Sequence, residues 1–208
     1  MEETLRLIAD ELLKKHGCHT VVLYGSRALD AHESTSDFDV AGVREAGEPA
    51  RDARPFEGEY LDAFIYPEKA LETLEPEMIR LRAGRVLVEK DGYGTRLIER
   101  ARKLFDAGPK PLSEAEASLI RSWVAKTLAR ISRGGPEDVE ANYRRVWLLF
   151  QLLEDHFKLR GQWYLGPRES FEWLRRNDPA TYRAFEQALA PEAARGSLRV
   201  LAARVLGE

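Results

Sequence analysis

The 208-residue chain is 44% hydrophobic and 32% charged, with a net charge of −3. That is enough apolar material for one large domain or two small ones, and the near-balanced charge gives no general attraction to nucleic acid or anionic membranes. A single cysteine, Cys18, excludes an intrachain disulfide, no apolar run approaches the ~20 residues that span a bilayer, and the acidic start Met1-Glu2-Glu3 is not a signal peptide; these features predict a cytoplasmic protein.

Residues 2–16 predict an amphipathic helix with Leu5, Ile8, Leu12 and Leu13 on one face, Lys14, Lys15 and His16 in its last turn, and Gly17 as its stop. Val21 to Tyr24 predicts a short buried strand. Gly25-Ser26 makes a tight turn, with a short helix expected to about His32. A polar loop, Glu33-Ser34-Thr35-Ser36, leads into an Asp37-Phe38-Asp39 strand that continues to about Val43. Residues 44–57 carry Gly, Pro and charge and predict a surface loop. Glu59 to Tyr66 alternates as a strand, with Tyr60, Asp62 and Phe64 on one face. Pro67 and Pro76 sit where helices can begin. Arg85 to Glu89 predicts a further strand, followed by a helix carrying Leu97, Ile98, Ala101, Leu104 and Phe105.

Gly108-Pro109-Lys110-Pro111 breaks that helix and marks the expected boundary between domains 1–108 and 109–208. The first part holds 16 Lys+Arg against 22 Asp+Glu, and the second 16 against 13, so an acidic half precedes a mildly basic one. Beyond the break the pattern is helical throughout. Ser113 and Glu116 have capping-box spacing, above a face of Ile120, Trp123, Thr127 and Ile131. In the next helix Val139, Tyr143, Val146, Phe150, Leu153 and Phe157 recur every three or four residues and predict its inward stripe. Further helices are expected over about 168–176, after Asp178-Pro179 with Tyr182, Phe185 and Leu189 inward, and near 197–206 with Leu198, Leu201 and Val205 inward. Together these predict a bundle of four or five helices.

The chemistry concentrates early. Gly25 lets the backbone approach a ligand, and the free N–H groups after it, with the Ser26 hydroxyl, suit a phosphate. Asp37 and Asp39 leave the same face of a strand. Adjacent carboxylates repel and are rarely placed together without a cation, and hard oxygen ligands beside a phosphate turn point to Mg²⁺.

Gly25-Ser26, Asp37 eleven positions after Ser26, Asp39, and then Asp62 within an apolar run resemble the signature of the DNA polymerase β-like nucleotidyltransferase superfamily, over residues 20–66. Many members carry a Gly two residues after the Arg-Ala pair; here Leu29-Asp30 follow. The resemblance implies an α+β fold: a small mixed β-sheet nucleotidyltransferase domain with flanking helices, then an α-helical bundle that binds the acceptor, as in kanamycin nucleotidyltransferases. It implies Asp37, Asp39 and Asp62 as ligands of two Mg²⁺ ions, and Gly25 and Ser26 as contacts to the β- and γ-phosphates of an NTP, with ATP expected. Asp62 is also implied as a candidate acceptor of the incoming hydroxyl's proton. Arg27 is either a bidentate phosphate contact or a solvent-facing arginine.

In the helical half, Glu154 or Asp155 is a candidate general base by analogy with the kanamycin enzymes; the bland alternative is a solvated helix flank. Arg144, Arg145, Lys158, Arg160, Arg168, Arg175 and Arg176 alternate with Trp147, Trp163, Tyr164 and Trp173. Such interleaving can bind nucleic acid, but a bundle with aromatics inside and Arg outside is the favoured account. Relatives of the HEPN ribonuclease type carry Arg five or six residues before His. No Arg precedes His156 at that distance, and Arg27/His32 lie in the nucleotide loop, so no ribonuclease is expected. The expected activity is transfer of a nucleoside monophosphate, AMP in the first instance, to a hydroxyl of a small-molecule or macromolecular acceptor, with a homodimer allowed. Alternatives are an antitoxin-type enzyme modifying protein or tRNA, and a non-catalytic nucleotide-binding module.

Overall fold

The computed structural model describes residues 2–29, 36–135, 137–190 and 195–207. Strand β1 (Thr20–Tyr24) is buried along its whole length, which is why it reads as a continuous apolar run. It joins β2 (Phe38–Arg44), β3 (Ala50–Phe56), β4 (Glu59–Pro67) and β5 (Arg85–Val88) in one mixed sheet of order β3-β4-β2-β1-β5. β2 and β4 run parallel and the other neighbours antiparallel. Glu57 and Gly58, with φ of 50° and 81°, form a two-residue hairpin turn between β3 and β4 whose twist suits the flanking strands.

Three expectations change here. Residues 44–57 are not all loop, because their second half is β3. Its charges and Pro55 disguise it, and as the sheet edge it tolerates both. The helix expected after Gly25-Ser26 is a single 3-10 turn, Ser26–Leu29; His32 and the Glu33-Ser34-Thr35 loop lie outside the described residues. Pro67 and Pro76 open 3-10 segments, Glu68–Leu71 and Pro76–Ala83, rather than α-helices.

Helix α1 (Glu2–His16) buries Leu5, Ile8 and Leu12 on one face of the sheet, against Val21, Leu23, Phe38, Val40 and Ile65. Cys18 packs in the same core, and burial pushes its thiol up to about 11. The C-terminal end of α1 is tied to β3 through Asp52, which accepts from Lys15 Nζ at 2.8 Å, His16 Nε2 at 2.9 Å and Arg54 Nε at 2.9 Å. Burial alone would raise the Asp52 carboxyl, but these donors overcome it and hold it far below the ordinary carboxylate range. On the opposite face, α2 (Tyr93–Asp106) and the 3-10 segments pack Leu71, Leu81, Leu97 and Ala101 over Tyr24, Ala41 and Val43.

The chain divides into two compact units, Met1–Ala107 and Gly108–Glu208. The second contains α3 (Glu114–Arg133), α4 (Val139–Lys158), α5 (Pro167–Asn177), α6 (Pro179–Leu189) and α7 (Arg195–Leu206). The Ser113–Glu116 capping box is present, and Asp138 and Asp178 cap α4 and α6. The core joins Val124, Leu148, Leu152, Leu174, Phe185, Leu201 and Val205. Among the described residues, no helix is long and apolar enough to cross a membrane.

The expected inward stripe of α4 is only partly inward. Leu153 and Phe157 are buried, but Val139, Tyr143 and Phe150 are 82%, 72% and 71% exposed, and Val146 is also exposed. Leu148 and Leu152 form the main buried face, roughly half a turn away at 100° per residue. The stripe is covered at its C-terminal end, where the Trp173 ring lies 5.4 Å from Phe157 and Tyr164 packs beside it. Leu189 on α6 is likewise exposed rather than inward.

His156 is fully buried beside Phe157 and Trp173, and neither ring nitrogen has a partner among the described residues. Burial first, then the Arg160 charge, lower its pKa to about 4.

Two predictions follow from the packing. Asp52→Ala leaves Lys15, His16 and Arg54 without their shared acceptor and should cost about 2–3 kcal/mol in chemical denaturation at neutral pH. His156 is neutral when folded, whereas the unfolded chain takes up the proton near pH ~6.5. Stability of the helical unit should therefore fall as pH drops from ~6.5 to about 4. Thermal melts of wild type and His156→Leu across that window check it, the variant showing the shallower loss.

Candidate functional site

The site is built where β1 ends. Tyr24 lies opposite Asp39 in the β1–β2 register, and Asp39 lies opposite Asp62 in the parallel β2–β4 register. The three side chains therefore leave the same face of three adjacent strands. Directly after Tyr24 the backbone turns at Gly25, with φ of 73°, into the 3-10 turn, and Ala28 N–H returns to the Gly25 carbonyl at 3.2 Å. A Cβ on Gly25 would overlap the Asp39 carboxylate. Glycine is required here twice over, by the left-handed φ and by the closeness of the turn to Asp39.

Asp37 is exposed one residue before β2 begins, and Asp39 is half-buried. The Asp39 carboxyl is pushed up to about 6, first by burial and then by the negative charges of Asp62 and Asp37, with Arg80 opposing. Three carboxylates thus interact at one place on the sheet, and their repulsion is only partly relieved. Ser26 opens the turn beside them.

Two arginines complete the site. Arg51 stands opposite Phe64 in the β3–β4 register, holds its guanidinium 4.8 Å from the Phe64 ring centre, and clamps both oxygens of Asp62 at 2.7 and 2.9 Å. Arg80, from the 3-10 segment Pro76–Ala83, donates to Tyr66 Oη at 2.6 Å and sits 4.9 Å from the Tyr24 ring centre and 4.6 Å from that of Phe64. The buried Tyr24 hydroxyl has no partner among the described residues, and burial raises its pKa well above the ordinary phenol value. Sequence reasoning missed both arginines. Arg51 lies in the stretch read as loop, and Arg80 belongs to no motif; the β-alternation of residues 50–56 was the one available signal for Arg51.

Arg27 has a different placement. It is buried, donates from Nε to the Ser36 carbonyl at 2.7 Å, pairs with Glu59 and lies 3.9 Å from the Phe38 ring centre. Its guanidinium ties the Gly25-Ser26 turn to the starts of β2 and β4. In the helical unit, Glu154 is partly exposed and paired with Lys158 Nζ at 2.6 Å, while Asp155 is buried and accepts from Gln151 at 3.0 Å. Several of the interleaved basic residues are also engaged locally: Arg144 with Glu140, Arg145 with the Ala188 carbonyl, and Arg160 with the His156, Arg204 and Val205 carbonyls.

Among the described residues no three His, Cys, Asp or Glu side chains converge as a ready-made metal cluster. The Asp62 carboxylate is turned onto Arg51, which supplies the positive charge there. The donor set nevertheless fits a hard divalent cation. Asp37 and Asp39 make no ion pair with a described residue, and the Asp39 carboxyl is held high first by burial and then by the charges of Asp62 and Asp37. If a cation belongs beside these carboxylates, Arg51→Ala should enlarge the rise in melting temperature that Mg²⁺ or Mn²⁺ produces, because Asp62 is then left without its guanidinium. Thermal-shift titration of both proteins reads this directly, and equal shifts would count against a cation at Asp62.

No family model matches the chain, and no curated protein sequence matches it. Eight chains of solved structures do. One is a nucleotidyltransferase-like protein from Exiguobacterium sibiricum 255-15, 17% identical, with the match covering 100% of this chain and 73% of that one at a TM-score of 0.43.

Proposed function

We propose that the chain is a metal-dependent nucleotidyltransferase that moves a nucleoside monophosphate from an NTP, ATP in the first instance, to an acceptor hydroxyl. The observation that carries this reading is the left-handed Gly25 turn packed on the Asp39 carboxylate, with Asp62 in register on the neighbouring parallel strand. The Gly25-Ser26 turn lies directly beside paired carboxylates, and a phosphate-binding turn next to acidic side chains is the juxtaposition that phosphoryl chemistry needs.

In this reading Asp37, Asp39 and Asp62 hold two Mg²⁺ ions, which when bound neutralise triphosphate charge and lower the pKa of the attacking hydroxyl. Gly25 and Ser26 hold the terminal phosphates. Arg27 keeps the turn in place. The acceptor oxygen bonds to the α-phosphorus, the bond from that phosphorus to the β-phosphate oxygen breaks, and pyrophosphate leaves. The acceptor's proton passes to a carboxylate, with Asp62 as the candidate. The acceptor is a small molecule or a macromolecule such as a protein or tRNA, and the workplace is the cytoplasm. The bidentate Arg51–Asp62 clamp favours one second reading, a nucleotide-binding module without turnover.

The test uses α-phosphate-labelled NTPs with Mg²⁺ against pools of metabolites, tRNA and protein. Label transfer should occur with the wild type and fall at least 100-fold in Asp39→Asn at an unchanged or slightly raised melting temperature, since the lost charge is a proposed metal ligand that burial and its acidic neighbours disfavour. Transfer within tenfold of wild type would remove Asp39 from the mechanism. Mg²⁺-dependent ATP binding without transfer to any pool supports the module instead, and equal ATP affinity in EDTA would sink the metal-dependent reading.

A further inference from the structure

The open end of the α4 stripe leaves a row of large apolar side chains exposed. Val139, Tyr143, Val146 and Phe150 are exposed and spaced 4-3-4 along α4, with exposed Trp147 at their side. At 100° per residue these four positions fall within a sector of about 60° on the helix, a continuous ridge about 16 Å long. Trp147 meets Trp123 of α3 edge-on at 4.7 Å, and exposed Leu119 stands one turn before Trp123 on the same face of α3. The 4-3-4 spacing is that of a helix–helix seam, and an apolar patch of this size on a helix marks a contact surface.

We propose that this ridge is a two-fold interface at which α4 packs antiparallel against α4 of a second copy of the chain. The ridge is complementary to itself. With the axis between residues 144 and 145, Val139 faces the partner subunit's Phe150, and Tyr143 faces the partner subunit's Val146. Each aromatic ring meets a small β-branched side chain, so the two ridges fill each other, as an isologous contact demands. The charge beside the axis is neutralised within each copy, because Arg144 is bonded to Glu140 at 3.0 Å through Nε. The six exposed apolar side chains offer about 600–700 Å² per copy, which doubled reaches the lower range of stable interfaces. The proposal is independent of the activity proposed above.

Light scattering on the full chain tests the state, and cysteine cross-linking tests the register. The wild type should show twice the chain mass, and Phe150→Asp half of that at an unchanged helical spectrum, since Phe150 lies outside the core. Val146→Asp serves as a second such variant. Under mild oxidation a mixture of Val139→Cys and Phe150→Cys proteins should cross-link at least tenfold faster than Val139→Cys alone, whose two thiols would sit about 16 Å apart, well beyond disulfide reach. The native Cys18 is buried and does not compete. A monomeric wild type at ~100 μM, a dimer that survives both Asp variants, or equal cross-linking of Val139→Cys alone and the mixture would each overturn the proposal.

Discussion

The parallel pairing of β2 with β4 is the constraint from which the site follows. It sets Asp39 beside Asp62 at the spacing of adjacent strands, with Tyr24 on the other side. Adjacent carboxylates on neighbouring strands repel and weaken the sheet that carries them. The fold offsets that cost with two guanidiniums, Arg51 clamping Asp62 and Arg80 acting on Asp39. Gly25 then seals the arrangement from above, because the turn touches the Asp39 carboxylate with no room for a side chain.

The same economy governs where the arginines stand. Phe64 has a guanidinium near its ring from β3 and another from the 3-10 segment, so one aromatic orients both positive charges next to the acids. Arg27 does a different task with the same chemistry. Buried against Phe38 and bound to the Ser36 carbonyl and Glu59, it fixes the end of the turn to two strands. Phosphate contact and structural anchoring both call for a forked cation, and only its surroundings distinguish them.

In the helical unit α4 is the organising element. One face, with Leu148 and Leu152, enters the core; the opposite stripe is covered by α5 near Phe157 and left open toward Val139. A helix that is apolar on both sides needs neighbours on both sides. The polar groups that α4 buries are compatible with the core in different ways. Asp155 accepts from Gln151, whereas His156 remains neutral among aromatic rings.

Much was legible from residue order alone. Gly25-Ser26, the Asp37–Asp39 spacing and Asp62 in an alternating strand are local patterns, and local patterns survive into the fold. The Ser113–Glu116 capping box and the helix start at Asp178-Pro179 were legible for the same reason, since a helix start is decided within four residues. The α+β class came with the family resemblance, and a second half of four or five helices followed from its helical period; five are present among the described residues. What residue order did not determine was which partner each face would meet. β3 was hidden because an edge strand carries the same charges and proline as a loop. The α4 stripe was found at the right spacing, but periodicity reports that a face is apolar, not that it is covered. Arg51 and Arg80 joined the site only through strand register and the placement of a 3-10 segment over the sheet. Those contacts link residues 11 to 56 positions apart, and such long-range pairing is decided by tertiary packing, where the free energy of contact depends on neighbours that no local window contains.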